Sequence, residues 1–262
     1  SERNNIAAPR RSAGPTLGER VPLAKSERQS SGALYETFLA WSRETRRRKI
    51  QKWHHYFDIY ERHLARFRGT ECRLLEIGVM DGGSLQLWSE YLGPDAEIIG
   101  AEIDPRARMF DRMLPNIQVV TADQSDPEAL AALSRDHGPF DIVIDDGGHT
   151  ARQQINTFNG LYPAVDDHGV FICEDTHTSY WPNFQDAGER TMMRHAKAMI
   201  DEMHSIYLPD SRRGARFTKP MAARSDELMV SRFAASTFSI QFYDSMIVFE
   251  KRPRSEPWSE FR

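Results

Sequence analysis

Asp141-Ile142-Val143-Ile144-Asp145-Asp146-Gly147-Gly148-His149 is an apolar run that ends in two carboxylates, turns on two glycines and presents a histidine as a helix begins. An uninterrupted Ile-Val-Ile, without polar alternation, belongs to a strand buried on both faces. A second acidic strand end, Phe171-Ile172-Cys173-Glu174-Asp175, follows one helix later. Parallel strands joined through a helix end on the same edge of a sheet, so four carboxylates and an imidazole converge there.

The same rhythm extends towards the N-terminus. Arg73-Leu74-Leu75-Glu76-Ile77-Gly78 reads as the first strand, and Asp81-Gly82-Gly83-Ser84 as a glycine-rich turn into a helix that runs to Tyr91. Glu97 to Glu102 is a second strand, and Asp104-Pro105 opens a short helix to Met113. Ile117 to Val120 is a third strand, after which Asp126-Pro127 starts a helix to Asp136. The strand from Phe140 is fourth, and a helix from Thr150 to Leu161 leads to a fifth at Gly169–Cys173. Beyond a polar, aromatic loop, a helix from about Gly188 to His204 and an Arg- and Gly-rich loop at Pro209–Pro220 precede Thr237–Tyr243 and Ser245–Glu250, spaced for an antiparallel hairpin. Strands alternating with helices predict an α/β fold: a doubly wound, Rossmann-like, seven-stranded sheet with an antiparallel C-terminal hairpin.

Aromatic and aliphatic residues at helical spacing, from Leu34 to Trp41 and from Tyr56 to Phe67, predict helices before the sheet. The expected organisation is a flexible tail over residues 1–31 and a single domain over 32–262, with N-terminal helices at 32–70 and the sheet core at 71–262. The basic run from Arg43 to Lys52 reads as a solvated helix face. A net charge of −4 speaks against nucleic acid as a partner, and no apolar run reaches the ~20 residues that span a membrane. Cys72 and Cys173 both fall in buried strands, as reduced thiols do. These features predict a soluble, cytoplasmic protein.

Glu76, Gly78, Glu102, Asp123 and Asp145 all stand at strand ends, where open α/β sheets bind ligands. Gly78-Val79-Met80-Asp81-Gly82-Gly83 is not the Gly-x-Gly-x-x-Gly of a dinucleotide site. Acidic residues instead suit a cofactor with a cationic centre, a ribose diol and an adenine amine, and S-adenosylmethionine has all three. Glu102 is the candidate for the ribose hydroxyls, Asp123 with Gln124 for the adenine amine, and Glu76, Gly78, Ser84 and Asp145 for the rest of the cofactor.

Strand ends about 5 Å apart allow Asp146, Glu174 and Asp175 to share one hard cation, and an all-oxygen set favours Mg²⁺. Carboxylates packed so densely need a cation or protons between them. The two-glycine turn brings His149 back over the strand end, making it the candidate base, with Asp146 beside it as the second catalytic residue. His177 competes for that role or contacts substrate, and Tyr180 and Trp181 offer aromatic faces to an acceptor.

Together, Leu-Glu-Ile-Gly, Ala-Asp-Gln-Ser-Asp, Asp-Asp-Gly-Gly-His, Glu-Asp-Thr-His-Thr-Ser-Tyr-Trp and the terminal Phe-Tyr-Asp-Ser-Met-Ile-Val-Phe-Glu-Lys resemble the macrocin and mycinamicin type of S-adenosylmethionine-dependent sugar O-methyltransferase. The resemblance covers Leu34 to Lys251 and departs in two places, with Gly147-Gly148 where Gly-Ser is usual and Glu102 where Asp is usual. It implies a class I methyltransferase fold, a Mg²⁺ ion on Asp146, Glu174 and Asp175 that chelates two sugar hydroxyls, and His149 as proton acceptor. It further implies a small glycoside or sugar acceptor, a place in antibiotic biosynthesis and a homo-oligomer. A catechol-type O-methyltransferase, and a relative with a hydroxylase or assembly role, remain as alternatives.

Overall fold

The structure, a computed structural model, describes residue 18 and residues 20–41, 47–207, 216–224 and 227–260. Its centre is a seven-stranded sheet of β1 (Arg73–Ile77), β2 (Glu97–Glu102), β3 (Ile117–Thr121), β4 (Phe140–Asp145), β5 (Val165–Cys173), β6 (Thr237–Tyr243) and β7 (Met246–Lys251). The order is β3-β2-β1-β4-β5-β7-β6; the first five strands are parallel and β7 is antiparallel to both β5 and β6. This is the doubly wound α/β architecture that the sequence predicts. Strand order reverses between β1 and β4, so a crevice opens at their carboxyl ends.

The apolar strands serve two cores because their side chains alternate across the sheet. Leu74, Ile98, Ile142, Ile144, Val170 and Ile172 face one core, while Leu75, Ile99, Val143, Phe171 and Phe249 face the other, all fully buried. The first core is covered by α1 (Ala33–Trp41), α2 (Tyr56–Leu64) and α3 (Gly83–Leu92), which bury Tyr35, Phe57, Tyr60 and Trp88. The second is covered by α4 (Pro127–His137), α5 (Ala151–Leu161) and α6 (Met192–Met203). There Phe158 packs 4.5 Å from Phe249 and 5.4 Å, edge-on, from Phe171.

Local chemistry sets the helix starts. Asp126 caps α4 through Glu128 N, and Thr150 and Gln153 form a reciprocal capping box on α5. α6 begins at Met192 rather than near Gly188, because Thr191 supplies its cap by accepting from Arg194 N. The turn from Pro105 is a 3-10 helix that stops at Phe110. β5 starts earlier than expected, at Val165, with a register shift against β4 between Phe140 and Ile142.

The segment 47–55 between α1 and α2 positions the site. It crosses the start of α3, where a Cβ on Gly83 would sit 2.2 Å from the Lys49 carbonyl oxygen. Of the expected tail, residues 1–17 and 19 lie outside the described residues; 20–31 form neither helix nor strand, with Ser30 Oγ donating to the His54 carbonyl at 2.5 Å. Most of the expected Pro209–Pro220 loop also lies outside them. Among the described residues, no helix is long and apolar enough to cross a membrane.

Glu250 of β7 ties the hairpin to α2. Its carboxylate lies 3.0 Å from His63 Nδ1 and accepts from Ser239 Oγ at 3.0 Å. The hydrogen bond from His63, against the opposing effect of burial, brings the carboxyl down to about 2 from an ordinary 4.5. A carboxyl whose folded pKa is depressed stabilises the fold above its unfolded pKa and loses that contribution as pH falls. Glu250→Gln should therefore melt a few degrees below the wild type at pH 7, and the gap should close as pH falls from 4.5 towards 2. A gap that stays constant over that range would dismiss the carboxylate as the source.

Candidate active site

A cleft of about 1390 Å³ lies along the carboxyl ends of the central strands. It runs from Glu102, Ile103, Met109 and Phe110 past Gly78 to Asp146, His149 and Asp175, and is bordered by segment 49–54. Sites for one small molecule usually occupy about 300–1,000 Å³, so there is room here for two ligands side by side. At the waist, Gly78 has φ 94°, and a Cβ there would meet the Asp146 carbonyl oxygen at 2.2 Å. The ends of β1 and β4 thus meet backbone to backbone.

The expected cofactor residues divide into two layers. Glu102 and Asp123 line the cleft. Glu102 also accepts from Val79 N at 2.9 Å and Met80 N at 3.3 Å, which closes the loop after β1 against β2. Glu76 and Asp145 are instead fully buried beneath the cleft, because each answers a neighbour there. Glu76 accepts from Ser84 Oγ at 2.6 Å, and Asp145 accepts from Gln124 Nε2 at 3.1 Å. Burial pushes the Asp145 carboxyl up to about 7. Gln124, expected beside an adenine, uses its amide on the turn: Oε1 accepts from Gly148 N at 2.6 Å and Nε2 donates to Asp145 and Thr157. A Cβ on Gly147 would lie 2.0 Å from that same Oε1, so glycine lets the turn close on Gln124.

At the other end of the cleft, the carboxylates are also layered. His149 Nε2 lies 3.7 Å from Asp146 Oδ1 and 3.5 Å from Asp175 Oδ2. These three side chains bring one ligand atom each to within 4.8 Å of one another. His149 and Asp175 hold φ of 59° and 52°, the left-handed region that costs a side chain about 1–2 kcal/mol. Surrounding contacts fix both: the His149 carbonyl accepts from Thr178 Oγ1 at 2.9 Å, and Asp175 Oδ1 accepts from Tyr56 at 2.6 Å. Glu174, expected as a metal ligand, lies 1% exposed with its oxygens already engaged. It accepts from Tyr60 at 2.6 Å and from Lys52 Nζ at 2.8 and 3.0 Å.

Lys52 is where sequence reasoning failed. It ends the basic run read as a solvated face, yet its side chain is 2% exposed and its ammonium lies 2.6 Å from Asp146 Oδ2 and 3.4 Å from Glu76. Residues 43–46 of that run lie outside the described residues. Burial alone would lower the Lys52 pKa, but Asp146, Glu174 and Glu76 together hold it well above its ordinary value. Burial and the Asp146 charge push Glu174 well above the usual carboxylate range, and burial raises Glu76. A signal was present: Trp53-His54-His55-Tyr56-Phe57 follows Lys52 directly, so the run ends where the chain turns inward. The four-residue spacing of Tyr56 and Tyr60 likewise puts both hydroxyls on the carboxylate side of α2.

His177 is hydrogen-bonded to Ser245 and packs edge-on between Trp181, at 4.5 Å, and Trp53, at 5.8 Å. Trp53 lines the cleft and is half exposed; Tyr180 and Trp181 are exposed further out. The aromatic loop after β5 therefore reaches the cleft through Trp53.

Residues 75–176 match a family described as a methyltransferase domain. The chain carries a methyltransferase domain. Its relatives include the 8-demethyl-8-alpha-L-rhamnosyl tetracenomycin-C 2'-O-methyltransferase of Streptomyces olivaceus, 34% identical over 78% of this chain and 52% of that protein. The demethylmacrocin O-methyltransferase of Streptomyces fradiae is 34% identical over 63% of this chain and 45% of its own length. The mycinamicin VI 2''-O-methyltransferase of Micromonospora griseorubida is 34% identical over 60% and 41%. Among solved structures, the MycE methyltransferase of the mycinamycin pathway, in complex with Mg and SAH, is 28% identical with a TM-score of 0.69, over 88% of this chain and 57% of that one. These likenesses bear out the resemblance carried by the motifs. The chain spans about half the length of the curated relatives it matches. The methyltransferase domain, at 75–176, contains Asp146, His149, Glu174 and Asp175, whereas Lys52, Tyr56 and Tyr60 precede it.

Gly78→Ala tests the waist. A backbone clash that nothing can yield to should destabilise the protein by roughly 2 kcal/mol or more in denaturant melts. Gly188, with φ 65° and nothing within 4 Å of its would-be Cβ, is the control. There alanine should cost only about 1 kcal/mol. Equal losses at the two positions would mean that the approach of β1 to β4 is not tight.

Proposed function

We propose that the protein is an S-adenosylmethionine- and Mg²⁺-dependent O-methyltransferase acting on one hydroxyl of a neighbouring pair on the sugar of a glycosylated small molecule. The observation that carries this reading is that a single cleft holds Glu102, Gly78 and Asp123 at one end and the Asp146, His149 and Asp175 group at the other. The likeness to glycoside O-methyltransferases, and to a methyltransferase solved with Mg and SAH, supports it.

The residues present fit both groups. Two carboxylate oxygens facing each other across an imidazole suit a hard divalent ion. Gly78 allows a ligand to lie close to the backbone, and Glu102 retains lone pairs for a ribose diol. When bound, the cofactor supplies a methyl group on a sulfonium, and the ion makes an acceptor hydroxyl more acidic.

The chain's own part is to hold and deprotonate. Asp146 and Asp175 would hold the ion, while Glu174, expected as a third ligand, is engaged by Lys52, which also holds Asp146. With cofactor and acceptor bound, His149 Nε2 would take the proton of the hydroxyl that receives the methyl group. Gln124 and the two glycines position that ring without touching the reacting atoms. Trp53, backed by His177 and Trp181, offers an aromatic wall to the sugar or to the apolar group it is attached to.

His149→Ala should lower methyl transfer to a glycoside acceptor by about 10²–10⁴-fold, while Mn²⁺ binding, followed by electron paramagnetic resonance, stays at the wild-type level. Loss of Mn²⁺ binding in that variant would make the ring a ligand and remove it as the base. EDTA should stop transfer and Mg²⁺ should restore it. In an acceptor screen, turnover of catechols but not of rhamnosyl or deoxysugar glycosides would sink the sugar reading.

A further inference from the structure

Lys52 sits where nothing in the proposed chemistry requires a cation. Its ammonium has three donors and no acceptor, and three carboxylates surround it: Asp146 at 2.6 Å, Glu174 at 2.8 Å and Glu76 at 3.4 Å. Glu174 is closed off further by Tyr60, and Glu76 by Ser84. Asp146 alone is shared. Its Oδ2 faces Lys52, and its Oδ1 faces His149 across the cleft.

We infer that Lys52 is a positioning residue that acts as the resident cation of the acidic cluster, competing with an incoming divalent ion for Glu174 and for one oxygen of Asp146. The inference rests on the divalent-ion reading given above. With Lys52 in place, the three inward carboxylates share one ammonium, along with the hydroxyl donors Tyr60 and Ser84, before any metal arrives, so the strand ends hold together without an ion. An ion entering from the cleft then meets Asp146 Oδ1 and Asp175 but not Glu174. That smaller set limits its affinity and keeps its remaining positions for acceptor oxygens. Lys52 also fixes the direction of Asp146, since one oxygen is taken from behind.

The test uses Lys52→Met, Glu174→Gln and their combination in the full chain, with melting in EDTA and in Mg²⁺ and with Mn²⁺ titrations by electron paramagnetic resonance. Wild type should melt at nearly the same temperature with and without Mg²⁺. Lys52→Met should melt about 5 °C or more lower in EDTA, recover most of that loss in Mg²⁺, and bind Mn²⁺ about tenfold tighter as Glu174 is released. Adding Glu174→Gln to Lys52→Met should return both the EDTA melting temperature and the Mn²⁺ affinity towards wild type. Weaker or unchanged Mn²⁺ binding in Lys52→Met would overturn the competition. If Lys52→Met yields no folded protein, Glu174→Gln alone decides: unchanged Mn²⁺ affinity supports the resident cation, and a loss of about tenfold or more makes Glu174 a direct ligand and overturns it. Failure of every protein to bind Mn²⁺ would sink the divalent-ion reading together with the competition. The melting cycle would then still judge whether Lys52 balances Glu174, and a double variant no more stable than Lys52→Met would reject that too.

Discussion

Negative charge gathered at the ends of three adjacent strands has to be neutralised inside a body that excludes water. Glu76 ends β1, Asp145 and Asp146 end β4, and Glu174 and Asp175 follow β5. Left alone, such a set would repel itself or take up protons. Segment 47–55 and α2 supply the answer, because they carry Lys52, Tyr56 and Tyr60 over the strand ends as donors. The path of the chain before the sheet is thus dictated by charge as much as by the apolar faces of α1 and α2. The glycine at the start of α3 that lets this segment pass is part of the same requirement.

The frame of the fold was legible in the sequence because its signals are local. Apolar strands of five or six residues, Asp-Pro helix starts and the spacing of the last two strands each report on their own neighbourhood. The acidic strand ends were legible for the same reason. What escaped was the partner of those ends, since Lys52 meets Asp146 and Glu174 across 94 and 122 positions of chain. Sequence periodicity carries no information about such a meeting, and a lysine in a basic run looks like every other solvated lysine. Gln124 lies on the cleft as expected, but its hold on the turn is not legible in the sequence: which neighbour claims an amide depends on a turn whose closeness only coordinates reveal. The extent of β5 and the start of α6 differed where a bulge and a threonine cap set the boundary.

The division between a matched domain and its flanks has a chemical meaning here. The matched stretch at 75–176 provides the carboxylates and the histidine that meet at the cleft. The flanks provide the lysine and tyrosines that hold them, together with Trp53 on the cleft wall. Changes outside the matched region can therefore alter how tightly these groups are held without touching them.

Tyr56 donates to Asp175 at 2.6 Å and lies 2.9 Å from Ser245 Oγ, and Ser245 also pairs with His177 and accepts from Thr176 N through its carbonyl. Asp175 is thereby clasped between α2 and the turn of the β6–β7 hairpin. During synthesis Tyr56 is made 189 residues before Ser245. A growing chain that has not yet released Ser245 has its strand ends and its lysine but lacks the clasp that sets the direction of Asp175. The acidic end of the cleft is therefore completed only once the β6–β7 hairpin has formed, long after its carboxylates have been made.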